Sequence, residues 1–236
     1  MIDCLTPVFS ILSDTVATGG MSYAFAKSTL AGKVVIFVLF ILSIVSWSVM
    51  FTKFKQVRSA EKSGSDFLRA LRAEEQFAGI FRKGRRWENC PLYELYTAGC
   101  QGIQGNTTSD DKLRVTLLEG ILERAVAEQV VLLESQVSIL GTAVSAAPFL
   151  GLLGTVWGVM DAFTDVALAG SATIGTLAPG ISAALITTVV GLVVAIPSMI
   201  GYNILVAHIR RLTMELENFA SEFVSIVQKE MNGGND

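Results

Sequence analysis

The chain has 236 residues, 51% of them hydrophobic and 17% charged, with a mean hydropathy of +0.54 and a formal net charge of −3 at pH 7. Its apolar residues come in long blocks, which excludes an ordinary soluble domain and points to a polytopic membrane protein. The three cysteines, Cys4, Cys90 and Cys100, have no metal-ligand spacing and form an odd set, which speaks against a disulfide framework or a metal site.

In chain order, residues 7 to 18 (PVFSILSDTVAT) are apolar but too short to cross a bilayer, and no basic run precedes them. They read as an interfacial helix on the outer leaflet, inside an N-terminal segment 1–33. The first span is expected at 34–52, between Lys33 and Lys53, with Trp47 near its inner end. It has no Gly or Pro and few small residues on one face, so it is expected to sit outermost, against lipid. Residues 53–135 read as a cytoplasmic helical region with breaks at Gly64, Gly79, Gly84 and Pro91. Within it GIQGNTTSDD is the clearest loop, and Ser109, Asp110 and Asp111 mark a helix start, acidic residues being favourable at the positive end of the dipole.

From Lys112 the pattern predicts one long helix running without interruption into the second span. Its apolar face is Leu113, Leu117, Ile121, Leu122, Val126 and Val130. The second span is 136–160, a polar connection covers 161–178, and Pro179 marks the start of a third spanning helix, 179–207. The tail, 208–236, carries Ile209, Leu212, Leu216, Phe219, Phe223 and Ile226 at near-heptad spacing, so the third helix should project well past the membrane. MNGGND is a frayed end. A bilayer core needs roughly 20 apolar residues at about 1.5 Å each, and every one of the three runs satisfies it.

Charge fixes the expected orientation. Thirteen of the eighteen basic residues lie between Lys53 and Arg124, two precede the first span, three follow the third, and none falls in 161–178. The positive-inside rule then makes this an all-α membrane protein with three transmembrane helices, N-terminus out and C-terminus in. The basic run Arg82 to Arg86 admits two readings, a site for nucleic acid or lipid headgroups and a solvated loop face; the second is adopted, with no nucleic-acid partner.

Small residues recur at helical spacing in both later spans. Gly151, Thr155, Gly158 and Ala162 form one stripe, continued upstream by Pro148, Ser145 and Gly141. Gly180, Ala184, Thr188, Gly191, Ala195 and Ser198 form the other. In lipid such faces let helix backbones approach closely. Pro148 and Pro197 lie inside the spans and should bend them. Neither packed span contains Asp, Glu, Lys or Arg, and His208, at the inner end of the third, is the one side chain there that changes charge near neutral pH. A catalytic site at depth would need a Ser/His or paired-carboxylate constellation, and none is present, so no enzyme is expected. Any protonatable group in an ion path has to come from a partner.

LGLLGTVWGVMDAF and TLAPGISAALITTVVGLVVAIPSMIGYN resemble the second and third transmembrane helices of the ExbB/TolQ/MotA proton-channel family, nearer to TolQ and ExbB. The likeness is dense over 141–203 and looser over the rest. It implies an inner-membrane ion-driven motor or stator subunit that converts proton motive force into mechanical work on the bacterial envelope, in TonB-type uptake or Tol-Pal-type maintenance. It implies a homopentamer around a single-span ExbD/TolR-like partner bearing a membrane aspartate, a TonB/TolA-like transducer, contact with membrane lipids, and no cofactor beyond the transported proton or sodium. By motif, Thr155 in GTVWG and Thr188 in ALITT take the place of the family's pore-facing threonines. The alternative is that each hydroxyl merely bonds its own i−4 carbonyl. Gly151, Gly158, Pro179, Gly180, Ala183, Ala184, Gly191 and Ala195 are assigned to helix packing or pore lining. One departure is visible: the family motif APGIAEAL reads APGISAAL here, with Ala183 in place of a glutamate. A conducting path resting wholly on the partner's aspartate fits that change, and so does the alternative of a non-conducting oligomeric membrane scaffold.

Overall fold

A computed structural model describes residues 30–74, 77–105, 110–170 and 173–233. The interfacial segment expected at 7–18, Cys4, most of the GNTTSDD loop and the end of MNGGND lie outside the described residues. All described elements are helices: α1 (Leu30–Arg72), α2 (Gly79–Lys83), α3 (Pro91–Gly105), α4 (Asp111–Glu134), α5 (Val137–Ala169) and α6 (Ile174–Gly233). α1, α5 and α6 are long and apolar enough to cross a membrane. With 43 and 60 residues, α1 and α6 extend over about 65 and 90 Å, two to three times a hydrocarbon core of about 30 Å. The chain divides into two compact units, Met1–Ser48 with Ile139–Gly201, and Val49–Ser138 with Tyr202–Asp236.

In the first unit α5 lies antiparallel to the start of α6, and α1 runs parallel to it. Val35 and Leu39 of α1 pack with Ala147, Val194 and Ala195, flanked by Leu42, Leu150 and Val190. Further along, Ser46 and Ser198 share a buried hydrogen bond of 2.6 Å. Phe37, Phe40 and Ile44, elsewhere on this part of α1, are exposed.

The second unit is built on aromatic rings. Phe67, fully buried, meets Trp87, Tyr93, Tyr96 and Phe219, and Phe77 stands edge-on to Phe223 at 4.7 Å. The Tyr96 hydroxyl donates to the Phe77 carbonyl (2.7 Å) and accepts from the Phe81 N–H (3.2 Å), so the ring cluster holds the turn ahead of α2. Gly99 admits the Phe223 ring, whose Cζ stands 2.6 Å from where a Cβ would be. Cys90 and Cys100 are buried free thiols, and burial pushes each up to about 11, so neither is an activated nucleophile.

Several helix bounds differ from the sequence expectation. Gly64 breaks nothing: α1 passes through it, and the missing side chain leaves room for Leu92 Cδ1, 3.1 Å from the Cβ position. The uninterrupted helix expected from Lys112 into the second span is overturned, because Gln136, at φ +65°, separates α4 from α5. A side chain distant in sequence caps the end of α4. Lys53 Nζ is buried and donates to the carbonyls of Leu132 (3.1 Å) and Leu133 (3.3 Å) and to Ser135 Oγ (2.9 Å), giving donors to carbonyls that a helix end leaves unsatisfied. On α4 the buried positions are Leu118, Leu122, Val126 and Leu133, while Leu113 and Leu117 of the expected face are exposed. The tail seam matches from Ile209 to Phe223, and Val227 rather than Ile226 takes its last buried position. The Asp110 side chain accepts from the Lys112 N–H and caps α4 at the expected start.

The third apolar helix begins at Ile174, not at Pro179. Thr173 and Thr176 form a reciprocal cap: each side-chain oxygen accepts from the other's backbone N–H, at 3.3 and 3.2 Å. α5 in turn runs on to Ala169, and Gly170, at φ +67°, ends it with its N–H on the Val166 carbonyl. Much of the segment expected as a polar connection is therefore helical.

Candidate functional site: a threonine pair between two closely packed helices

The antiparallel pair α5/α6 is a backbone-to-backbone contact. A Cβ on Gly191 would stand 2.6 Å from the Ala147 carbonyl oxygen and 3.1 Å from Gly151 Cα, and one on Gly151 would stand 2.9 Å from Thr188 Cα. These neighbours are main chain and cannot swing aside. Gly154 faces Thr187, Gly158 faces Ala184, and Gly180 faces Ala162 in the same seam. Ala183, Ala184 and Ala195 are buried in the first unit, and Pro179, half-buried, lies one residue before Gly180. Gly151, Gly158, Gly180 and Gly191 thus each meet the facing helix of the same chain closely.

The two selected threonines come together at the edge of that seam. Thr188 Oγ1 donates to the Gly151 carbonyl across the interface at 3.1 Å and lies 3.5 Å from Thr155 Oγ1. Thr155 Oγ1 donates to the Leu152 carbonyl of its own helix at 2.7 Å. Thr155 thus bonds its own helix three residues back, not four, while also lying within reach of Thr188, and Thr188 bonds the opposite helix. Both side chains are half-exposed, so a group approaching from outside the chain can reach two hydroxyl oxygens, each able to accept as well as donate.

Sequence reasoning missed Thr187. It is 1% exposed, and its hydroxyl is shared between the Ala184 carbonyl (2.7 Å) and the Gly151 carbonyl (3.0 Å). The Gly151 oxygen thus takes side-chain donors from two consecutive threonines, which fixes the register of α6 on α5. The signal was available, since Gly154 stands three residues after Gly151 and Thr187 three after Ala184. Ser46 was missed as well, because nothing around it in α1 forms a stripe. At the level where the family motif places a glutamate, Ala183 is buried and Ser182 is exposed, so the polar group facing outward there is a hydroxyl. Among the described residues no group of His, Cys, Asp and Glu is arranged to hold a metal ion.

Three membrane-capable helices, two of them packed through glycines beside a pair of hydroxyls, make this a multi-pass membrane protein. The sequence profile of the MotA/TolQ/ExbB proton channel family matches residues 89–218, and the chain belongs to that family, whose TolQ and ExbB members are inner-membrane proteins. It is 28% identical to the Tol-Pal system protein TolQ of Haemophilus influenzae over 214 residues, covering 89% of this chain and 94% of the relative. TolQ of Pseudomonas aeruginosa is 27% identical over 216 residues, with the same coverage. The biopolymer transport protein ExbB of Salmonella typhimurium is 28% identical over 208 residues, covering 85% of this chain and 83% of the relative.

Proposed function

We propose that this chain is the channel-forming subunit of an ion-driven motor in the bacterial inner membrane. In this reading it assembles as a homopentamer around a single-span ExbD/TolR-like partner that brings a membrane carboxylate, and a TonB/TolA-like transducer carries the output. The observation that supports it is the half-exposed Thr155/Thr188 pair, placed in spanning stretches, 136–160 and 179–207, that hold no acidic or basic group of their own. A partner's carboxylate brought to that pair exchanges its proton against two neutral hydroxyls, which can solvate either protonation state. Each charge crossing the membrane releases roughly 2.3 kcal/mol per 100 mV, enough to bias a packed helix interface by more than tenfold per step. The N-out, C-in orientation is supported by the segregation of basic residues. The work done is on the cell envelope, as the Tol-Pal and biopolymer-transport names of the relatives suggest.

A second reading, a scaffold that gathers partner helices without conducting, is favoured by one feature, Ala183 where the family motif has a glutamate. Proton flux into vesicles carrying the chain and its membrane-carboxylate partner separates the two. Loss of one transition-state hydrogen bond worth about 1.4 kcal/mol lowers a rate tenfold, so Thr188→Val and Thr155→Val should each cut flux by about that factor or more. Unchanged flux in both variants would remove the threonines from the path, and no flux in the parent complex would leave the scaffold.

A further inference from the structure

Among the described residues nothing covers one face of α4. Leu113, Leu117, Gly120, Arg124, Ala127 and Val131 recur at intervals of four and three, opposite buried Leu118, Leu122 and Val126, and all six are exposed. Lipid does not reach this row, which runs about 27 Å along a helix that precedes the second span. Gly120 marks it further. Gly64, Gly99 and Gly102 each admit a side chain of the same unit, whereas a Cβ on Gly120 would meet nothing within 4 Å. A glycine in mid-helix weakens the helix, and within one chain the space it leaves is unused.

We propose that this face of α4 seats the α6 tail of a second copy, so that neighbouring copies meet α4 to α6 around a closed ring. The proposal rests on the homo-oligomer reading above and adds which faces meet. The outward row of α1 is Lys55, Lys62 and Arg69, seven residues apart, and against it Arg124 would face like charge. The outward row of α6 is Ala207, Arg210, Met214, Asn218, Ser221 and Ser225, mostly small and weakly polar.

Copies that share one bilayer sit at one depth, so neighbours oppose positions that are level within a single chain. α1 and α6 run the same way, from the Glu61–His208 contact to Phe67–Phe219, and α4 runs against them toward Lys53. Arg114 and Leu118 of α4 line one small cavity with Val227 and Met231 of α6. Ile121 and Phe223 stand against Gly102 and Gly99, one turn of α3 apart. Carried along the two helices, this register sets Gly120 level with Ser225, Arg124 with Ser221 and Ala127 with Asn218. Two small residues then meet at Gly120, where backbones can approach closely. Arg124, exposed beyond its pair with Glu128, meets the exposed carboxylates of Glu217 and Glu222, which flank Ser221. Val131 and Met214, 67% and 50% exposed, lie toward the spanning ends of the two rows. Arg210 falls past the end of α4 and opposes none of its row.

The test is disulfide formation in isolated membranes holding two versions of the full chain made together, each with Cys4→Ser and one added cysteine, Cys90 and Cys100 being buried. Ala127→Cys beside Asn218→Cys should give covalent dimer, as should Leu117→Cys beside Gln228→Cys. Bridging needs Cα atoms within about 7 Å, so each yield should stand about tenfold above that of Ala127→Cys beside Ala207→Cys, displaced by about 16 Å along α6. Gly120→Trp in the α4 version should lower the yield about tenfold by overfilling the seat. Helical content should not change, since the chain itself leaves that space open. No dimer from either matched pair, an equal yield from the displaced pair, or dimer from Ala127→Cys alone each overturns the proposal. The native mass of the parent, taken from the same membranes, keeps the two readings apart. Several copies without the disulfide overturn this face alone, and a single copy overturns the homo-oligomer with it.

Discussion

The two units are held together by opposite means. Around Gly151 and Gly191 the helices touch through main chain, with the side chains removed from the contact so that backbones, carbonyls and threonine hydroxyls can meet. Around Phe67 and Phe223 the contact is through side chains, a set of rings mostly in edge-to-face arrangements, and Gly99 admits a ring rather than a backbone. The difference follows from solvent. In lipid, burying a leucine between helices gains nothing over leaving it in hydrocarbon, so close approach and hydrogen bonds must join the helices. In water, each buried ring removes 150–250 Å² or so from solvent, and a ring core is the efficient solution.

Breaking the aromatic unit should have the largest effect. Phe223 is fully buried against Phe77, Tyr96 and Phe219, and removing a ring at such a site costs about 3–5 kcal/mol. Phe223→Ala should lower the thermal unfolding temperature of the purified protein most among single changes, and Gly99→Ala should become tolerable in its background because the ring that blocks a Cβ is gone. If Phe223→Ala melts like the parent, the ring cluster is not what stabilises this unit.

The membrane-side contact should respond to the opposite change, an addition. Gly191→Ala puts a methyl group against the Ala147 carbonyl and Gly151 Cα, where only a helix shift makes room, and overpacking of this kind costs about 1–3 kcal/mol. Because the shift moves Thr188 away from the Gly151 carbonyl, proton flux should fall along with stability. An alanine that leaves both unchanged would mean that α5 and α6 do not approach in the membrane as closely as this packing requires.

What the sequence disclosed divides along the same line. The seam of α5 and α6 was legible, since close backbone approach demands small residues at fixed spacing and leaves the stripe Gly151, Gly158, Gly180, Ala184, Gly191 in plain view. The aromatic unit was not, because its rings come from α1, the turn before α2, α3 and the tail, and pairing across such separations leaves no local period. The joint at Gln136 was hidden for a related reason. Its cause, Lys53, is about 80 residues away, and a lysine at the end of an apolar run reads first as a membrane boundary marker. Pro179 misled in the ordinary way, since the Thr173/Thr176 cap starts the helix earlier and a proline in its second turn costs one hydrogen bond that this helix forgoes.

The smallest effect sharpens the contrast. The Ser46–Ser198 bond is buried and short, and in water a pair of that kind would be expected to matter. In a membrane, side-chain hydrogen bonds between helices average about 0.6 kcal/mol, because the separated helices find other partners for their hydroxyls. Ser198 already has one, its hydroxyl donating to the Val194 carbonyl at 2.7 Å. Ser46→Ala therefore removes an oxygen without stranding its partner, and α1 stays docked through Leu39 against Val194 and Ala195. The unfolding temperature of Ser46→Ala should lie near that of the parent, well above that of Gly191→Ala. A loss as large as that of Gly191→Ala would place a polar bond, and not close packing, at the centre of how α1 is held.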